Sequence, residues 1–291
     1  MSTFIQLLLR SFETGAIYAL AALGIIIVYR TNRMVNFAQG TMGMFGAFII
    51  TALHVKLQLP ITVSIFLGLI GAVLVGFLAD FLIVRRTKHV TGAGKEIITL
   101  GMLMVFLGIT PMIFGVDPMK LDRVVSNGSL TIAGAHLSLN SLLNIIIGLG
   151  CTIALFFLLQ RTNLGLAIRV TASNEEVARL MGIKTESVTL FAWAAALTLG
   201  ALSGALIAPS TSVTVNLMDA VQIAALIACV LGGFQTFYGA VIGAYIIAIG
   251  GNMLSYYVSS VWGNQVLYIL IILIVVIKPM GLFGKKMVKK V

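Results

Sequence analysis

The feature of the sequence that most restricts its fold is a series of apolar blocks, each long enough to cross a lipid bilayer. A helix needs about 20 mainly apolar residues to cross the hydrocarbon core. Eight such blocks follow one another, at 4–29, 34–53, 61–84, 97–116, 141–159, 187–208, 220–250 and 258–277. Hydrophobic residues make up 59% of the chain and charged residues only 10%, which excludes an ordinary soluble domain. The sequence predicts an integral membrane protein.

The blocks are expected to be helices, because the alternating ten-residue strands of an outer-membrane barrel are absent. Thirty glycines, some spaced as at Gly200 and Gly204, favour close helix packing in lipid. The seventh block is interrupted by LGGFQTFYG at 231–239. This interruption predicts two short helices joined by a tight turn or one helix broken within the membrane. The expected fold class is all-α, a polytopic membrane protein with eight or nine transmembrane helices in one domain over residues 1–291.

Basic residues at the ends of the blocks predict the orientation of the chain. The net charge of +10 could indicate a nucleic-acid partner, but the basic residues are not interleaved with stacking aromatic side chains. Most Lys and Arg fall near 30–33, 85–95 and 161–184 and in the tail 278–290, and such loops are typically cytoplasmic. The carboxyl terminus is then inside and the amino terminus outside. This arrangement requires an odd number of crossings and favours nine.

The residue pattern indicates no catalytic, metal or cofactor site. The cysteines lie within apolar blocks and the histidines in loops, at Cys151 and Cys229 and at His54, His89 and His136. Neither a metal cluster nor a catalytic triad is indicated by these positions. GAGKE at 92–96 lacks the first glycine and the hydroxyl residue of an ATP-binding P-loop. ATP hydrolysis would have to come from another chain.

One polar segment, VTASNEEVARLMGIKTES at 170–187, separates the fifth and sixth blocks. Ser173 and Glu176 match a capping box, which predicts a helix with Ser173 as its N-cap. Gly182 is suited to the left-handed residue that commonly ends a helix. The segment therefore predicts two helical turns at the cytoplasmic surface, too short to be stable without something docked on them.

The faces of these two turns indicate what they contact. Val177, Leu180 and Met181 would form an apolar face, while Glu175 and Arg179 would pair on another face. The apolar face would suffice for a helix that rests on lipid headgroups. Such helices usually carry Lys and Arg on the polar face, whereas this one begins with two acids. A contact with a protein partner is therefore favoured over a contact with lipid headgroups.

Several stretches resemble a known family. EVARLMG at 176–182 resembles the EAA loop through which bacterial ABC importer permeases contact their ATPases, although Val177 replaces the middle alanine and the downstream Ile-x-Leu-Pro is absent. Four further stretches are GAIYALAALGIIIVYRTNRMVNFAQGTMGMFGAF, TNLGLAIRVTASNEEVARLMGI, VLGGFQTFYGAVIGA and KPMGLFG. In order and spacing they resemble the permease family for branched-chain amino acids, specifically its leucine/isoleucine/valine H-type subunit.

The resemblance implies an all-helical, non-catalytic importer permease of the bacterial inner membrane, similar in fold to the vitamin B12-type importers. It implies three kinds of partner besides membrane lipid: a second related permease, two cytoplasmic ABC ATPases and an extracytoplasmic binding protein. The residues that it assigns to ATPase coupling are Ser173, Glu175, Glu176, Val177, Ala178, Leu180, Met181 and Gly182.

The substrate is the most open question. Branched-chain or similar apolar amino acids are expected, but the same family scaffold serves urea and short amides, and no residue decides between them. An ion-coupled secondary transporter is a further alternative. Such proteins place ionisable groups or broken helices near the membrane midplane. In this sequence the break at Gly232 and Gly233 is nearly the only feature of that kind.

A few polar residues in the blocks have two interpretations. Asn36 and Gln39 either line a translocation path, together with Gly232 and Gly233, or form hydrogen bonds between helices, which is favoured. Asp80 and Arg85 are expected to form a structural pair, because they lie about one turn apart near the cytoplasmic end of a block. Three residues are expected at an outward boundary, in contact with solvent or a binding protein: Asn216, Asp219 and Gln222.

Overall fold

A computed structural model describes residues 2–87, 90, 92–125, 128–132 and 134–284 of the 291-residue chain. His89 and the tail beyond 284, which carries four of the lysines used to orient the chain, lie outside the described residues.

Within these residues the structure has eleven α-helices, nine of them apolar. Six are long and apolar enough to span a membrane: α1 (Ser2–Asn32), α3 (Ile61–Leu82), α4 (Ala93–Phe114), α5 (Leu139–Arg161), α8 (Thr185–Ile207) and α10 (Phe237–Tyr257). Three apolar helices are shorter: α2 (Gln39–Val55), α9 (Asp219–Gly232) and α11 (Gly263–Ile277). The remaining elements are α6 (Asn163–Ser173), α7 (Glu175–Leu180), the antiparallel pair β1 (Ser129–Ile132) and β2 (Ala135–Ser138), and two 3-10 turns at Val84–Thr87 and Ala208–Ser210. The all-α membrane fold is confirmed.

The interruption of the seventh apolar block is a tight turn between two helices. Gly233 follows α9 with a φ of +89°, a conformation that favours glycine. α9 and α10 then pack antiparallel, so closely that a Cβ on Gly243 would lie 2.6 Å from the carbonyl oxygen of Ala228. The first of the two predicted arrangements is therefore correct.

α1 and α8 form the centre of the bundle. In their most apolar stretches, 78% of α1 and 67% of α8 are buried, against 17–22% for α3, α4 and α5. α1 packs against α5, α8, α9 and α10, while α8 packs against α1, α2 and α3. The peripheral helices expose rows of large apolar side chains, as expected for surfaces that face lipid.

Small residues allow α2 to lie directly against α8. A Cβ on Gly43 would lie 2.8 Å from the carbonyl oxygen of Gly200, and one on Gly46 would lie 2.3 Å from the Cβ of Ala201. The backbones approach because no side chain separates them, as is typical of helix contacts in membranes.

The two ends of the bundle carry different elements. At one end, called the α7 end, Lys95 reaches the carbonyl oxygen of Asn32, and the Arg33 guanidinium donates to the carbonyl oxygen of Ala172 in α6. At the other, called the hairpin end, Gln6 at the start of α1 bonds to His136 of β2. The basic loops that the sequence analysis assigned to the cytoplasm and that the structure describes lie at the α7 end.

Candidate functional site

α7 begins one residue later than the capping box predicted. Ser173 is the last residue of α6, and its hydroxyl donates to the carbonyl oxygen of Val170. Asn174 has an extended backbone, and its Oδ1 accepts from the amides of Glu176 at 2.9 Å and Val177 at 3.2 Å. Ser173 as N-cap was therefore wrong, because α6 continues through it and the side-chain cap comes from Asn174.

The carboxyl end of α7 is closed by the glycine that the sequence indicated. Gly182 has a φ of +81°, in the left-handed region. The amide of Ile183 donates to the Ala178 carbonyl oxygen and the amide of Gly182 to that of Arg179, both at 3.0 Å. These two bonds form a Schellman motif. α7 thus has a side-chain cap at one end and a backbone cap at the other.

The predicted apolar face of α7 is exposed. The exposed fractions are 44% for Val177, 87% for Leu180 and 68% for Met181. Ala178 is completely buried, so it supports α7 from beneath and has no surface to offer a partner. The three exposed apolar side chains lie together on a helix that begins with Glu175 and Glu176, and a protein contact at this surface stays a prediction.

Arg179 joins α7 to the start of α8. Its guanidinium lies 2.5 Å from the carboxylate of Glu175, which confirms the predicted i,i+4 pair. Its Nε atom also donates to the hydroxyl of Thr185, the first residue of α8, at 3.1 Å. Arg179 thus connects α7 to the first residue of α8.

A second link runs from α8 to α3. Arg85 lies 2.8 Å from the buried carboxylate of Asp80 in α3, as predicted, and 3.6 Å from the carboxylate of Glu186 in α8. Because Asp80 is completely buried, its negative charge needs this partner. Arg85 thus connects the ends of both helices.

A polar cavity of about 370 Å³, called the α7 cavity, lies behind α7. Its lining mixes both signs of charge, with three basic side chains, Arg85, Lys95 and Arg179, and three acidic ones, Glu175, Glu176 and Glu186. Within the residues described, no group of His, Cys, Asp and Glu is arranged to hold a metal ion.

Asn36 and Gln39 form a buried polar junction where α2 begins. Gln39 donates to the carbonyl oxygen of Ala196 at 2.7 Å and accepts from the side-chain amide of Asn36 at 3.2 Å. Both side chains are completely buried. The favoured interpretation, hydrogen bonding between helices, is confirmed for Gln39. Its neighbours Ala196 and Gly24 lie well inside α8 and α1, so α2 begins deep within the bundle.

Gln222 belongs to the same junction, which its sequence position did not predict. Its amide donates to the Phe37 carbonyl oxygen at 3.3 Å, and a Cβ on Gly40 would touch its side chain. Its Oε1 atom is buried and has no hydrogen-bond partner among the described residues. The outward boundary expected for Gln222 was wrong, because α9 also begins inside the bundle. An isolated amide in an apolar helix was the available signal.

Gly232 and Gly233 pack against backbone. A Cβ on Gly232 would lie 2.0 Å from the Gly239 carbonyl oxygen, and one on Gly233 would lie 2.8 Å from that of Met280. Their part in a translocation path stays a prediction.

Comparison with known proteins agrees with this architecture. The family described as "Branched-chain amino acid transport system / permease component" matches residues 7–276. The chain belongs to this family. It is 28% identical to the probable branched-chain amino acid transport permease protein LivH of Methanocaldococcus jannaschii, over 91% of this chain and 88% of that one. It is 27% identical to the high-affinity branched-chain amino acid transport system permease protein LivH of Salmonella typhimurium, over 99% and 98%.

More distant relatives carry other names. The chain is 24% identical to the autoinducer 2 import system permease protein LsrC of Salmonella paratyphi B, over 92% of this chain and 77% of that one. No solved structure matches the chain significantly. A fold similar to the vitamin B12-type importers therefore stays a prediction.

Proposed function

We propose that this multi-pass membrane protein is the permease subunit of an ATP-driven importer for branched-chain or similar apolar amino acids. The observation that carries the proposal is the similarity to permeases with that name over nearly the whole of both chains. The exposed surface of α7 supports it, because a permease without its own ATP site needs a place where an ATPase can dock.

The proposed substrate follows from the relatives rather than from a cavity. The two LivH permeases match at 27–28% identity over 88–98% of their length, against 24% over 77% for the relative named for autoinducer 2. The residues around the buried junction agree with a neutral substrate, since Asn36, Gln39 and Gln222 are amides. We place the translocation path beside this junction and the break at Gly232 and Gly233.

The proposed complex contains this chain, a second related permease, two cytoplasmic ABC ATPases and an extracytoplasmic binding protein. The α7 end would face the cytoplasm, together with the carboxyl terminus, because the basic loops gather there. The hairpin end would then face the binding protein. In this complex the chain acts as one permease domain and hydrolyses no ATP.

In the proposed mechanism, α7 is the coupling helix. Val177, Leu180 and Met181 bury their apolar surface against an ATPase, which moves when it binds and hydrolyses ATP. The caps at Asn174 and Gly182 keep the six-residue helix rigid, so that the movement does not simply unwind it.

The movement would then reach the spans through two polar links. The bond from Arg179 to Thr185 carries it to α8, and Arg85 carries it from Glu186 to Asp80 in α3. α8 is one of the two central helices, and Gln39 fastens α2 to its middle. Tilting of α8 would therefore change the environment of the buried junction and expose the path alternately to each side.

The proposal is tested on the complete complex in liposomes, with the binding protein and leucine outside. Leu180→Asp should abolish leucine-stimulated ATP hydrolysis and uptake, because it places a charge in the docking surface. Leu180→Met keeps an apolar side chain at the same position and should leave coupling to the ATPase intact. Uptake that persists without ATP and collapses with an ion gradient would instead establish a secondary transporter.

Contact with the ATPase is tested separately. With both native cysteines replaced, Leu180→Cys should crosslink to an ATPase subunit in an active complex, whereas Leu130→Cys should not. Persistent failure of Leu180→Cys to crosslink would remove α7 from the interface and favour a helix that rests on lipid.

A further inference from the structure

A cavity of about 210 Å³ at the α7 end, called the arginine cavity, brings three guanidinium groups together. Arg30 lies in the last turn of α1, Arg33 follows that helix, and Arg169 lies in α6. Arg33 and Arg169 are close enough to Arg30 for their charges to repel its own. None of the described residues that line this cavity is acidic. Nor does any of the three arginines pair with a carboxylate in the described part of the chain.

The α7 cavity nearby shows that this imbalance is particular to the arginine cavity. Among the described residues behind α7, three basic side chains are matched by three acidic ones. Gathering three cations without any counter-charge is unfavourable unless an anion joins them. The arginine cavity therefore has the charge of an anion site.

An apolar groove of about 400 Å³ lies next to this cavity, between α1, α5 and α10. Its walls include Leu23, Phe156 and Val241, and among its described lining residues only Thr152 and Tyr238 carry hydroxyls. Thr152 already donates to the carbonyl oxygen of Gly148, so it needs no other partner. The groove offers a ligand apolar contact and little else.

Phe237 joins the two sites. Its ring lines the groove, and the Arg30 guanidinium carbon lies 4.5 Å from the ring centroid. The guanidinium packs on the ring in a cation–π contact, at the boundary between the apolar groove and the arginine cavity. A molecule that occupied both sites would need an anionic end and a long apolar end.

We propose that the arginine cavity and the groove together bind one anionic phospholipid. The phosphate lies among Arg30, Arg33 and Arg169, whose planar forks match its oxygens, and an acyl chain lies in the groove. Basic pockets between transmembrane helices hold anionic headgroups in this way. The lipid phosphate brings a negative charge among the three arginines, and the acyl chain fills the space between α1, α5 and α10.

The proposal is tested by native mass spectrometry of the full chain in neutral detergent. The chain is titrated with palmitoyl-oleoyl phosphatidylglycerol and, separately, with phosphatidylcholine of the same acyl chains. The wild-type chain should bind the first lipid about tenfold more tightly or better. The double variant Arg33→Gln with Arg169→Gln should bind phosphatidylglycerol no more tightly than phosphatidylcholine. Arg30 is left in place because it packs on Phe237.

A control variant separates this site from a general effect of surface charge. A double variant, Arg86→Gln with Lys184→Gln, removes two positive charges from exposed positions at the α7 end that lie outside the arginine cavity. It should still bind phosphatidylglycerol more tightly than phosphatidylcholine. Equal loss in both double variants would reduce the effect to general surface charge and overturn the proposal.

The groove is tested by Ile153→Trp, which fills it from a position that is 54% exposed. This variant should weaken phosphatidylglycerol binding about tenfold at unchanged charge. Unchanged lipid binding, together with competition by millimolar inorganic phosphate, would mean that a free phosphate is the ligand, and the lipid assignment would fail. Gel filtration of each variant checks that it is folded.

Discussion

Replacing Gly182 with valine isolates the contribution of the α7 carboxyl cap. A Cβ at this position would meet no atom within 4 Å, so a larger side chain causes no clash. The cost comes from the backbone alone, because a φ of +81° is unfavourable for a β-branched residue. For residues other than glycine that cost is about 1–2 kcal/mol, a factor of roughly 5–30 in the population of the capped helix.

Hydrogen exchange measures that factor directly. The amides of Gly182 and Ile183 donate the two bonds of the Schellman motif, so their exchange in Gly182→Val should accelerate by about the same 5–30-fold. In the liposome complex, leucine-stimulated ATP hydrolysis should fall as well. Gly182→Asn should stay close to wild type in both assays, because asparagine enters the left-handed region far more readily than valine.

Gly150→Val provides the matched control. This glycine lies within α5 with open space around it and an ordinary helical backbone, so the substitution adds a valine without a strained conformation. Exchange of the Gly182 and Ile183 amides should be unchanged. If Gly182→Val left both exchange and ATP hydrolysis within twofold of wild type, a rigid α7 would not be needed for coupling. Equal defects in the valine and asparagine variants would show that backbone conformation is not the cause.

Three further outcomes are expected. Asn174→Ala should accelerate exchange of the amides that it caps by about fivefold, for a cap worth ~1 kcal/mol, whereas Ser173→Ala should not; the opposite result would restore the capping box. In intact cells lacking the native cysteines, Leu130→Cys should react with an impermeant thiol reagent and Lys184→Cys should resist it, and the reverse labelling would invert the topology. Gln39→Leu should lower stability by about 1–3 kcal/mol in thermal unfolding, because it removes the oxygen that accepts from the buried Asn36 amide, and an unchanged melting temperature would contradict this.

The sequence predicted the features that depend on local composition. Membrane helices follow from the length of the apolar blocks, and the turn at Gly233 follows from adjacent glycines that interrupt one block. The pair between Asp80 and Arg85 follows from a carboxylate in an apolar helix one turn from a guanidinium. The left-handed Gly182 follows from its place at the end of an amphipathic pattern.

Features that depend on neighbouring elements were not predictable in the same way. Ser173 and Asn174 are both good N-cap residues, and the choice fell to Asn174 because α6 continues through Ser173. The depth of Gln222 depends on where α9 enters the bundle, which no local pattern records. The arginine cavity unites residues from α1 and α6 that lie more than 100 positions apart, so its charge becomes visible only in the folded chain.

The deep start of α2 limits the order in which the helices can reach their final positions during synthesis. Residues 33–38, which lead into α2, are not helical, and such backbone is tolerated at membrane depth only where protein covers it or where it lines a water-filled cavity. Ala196, which accepts from Gln39, follows 157 residues later in the chain. During synthesis, α2 therefore cannot reach its final position until α8 has been made. We expect Thr41→Cys to react with an aqueous thiol reagent in a chain truncated after Ile183 and to be protected in the full chain, and protection in both would show that α2 settles without α8.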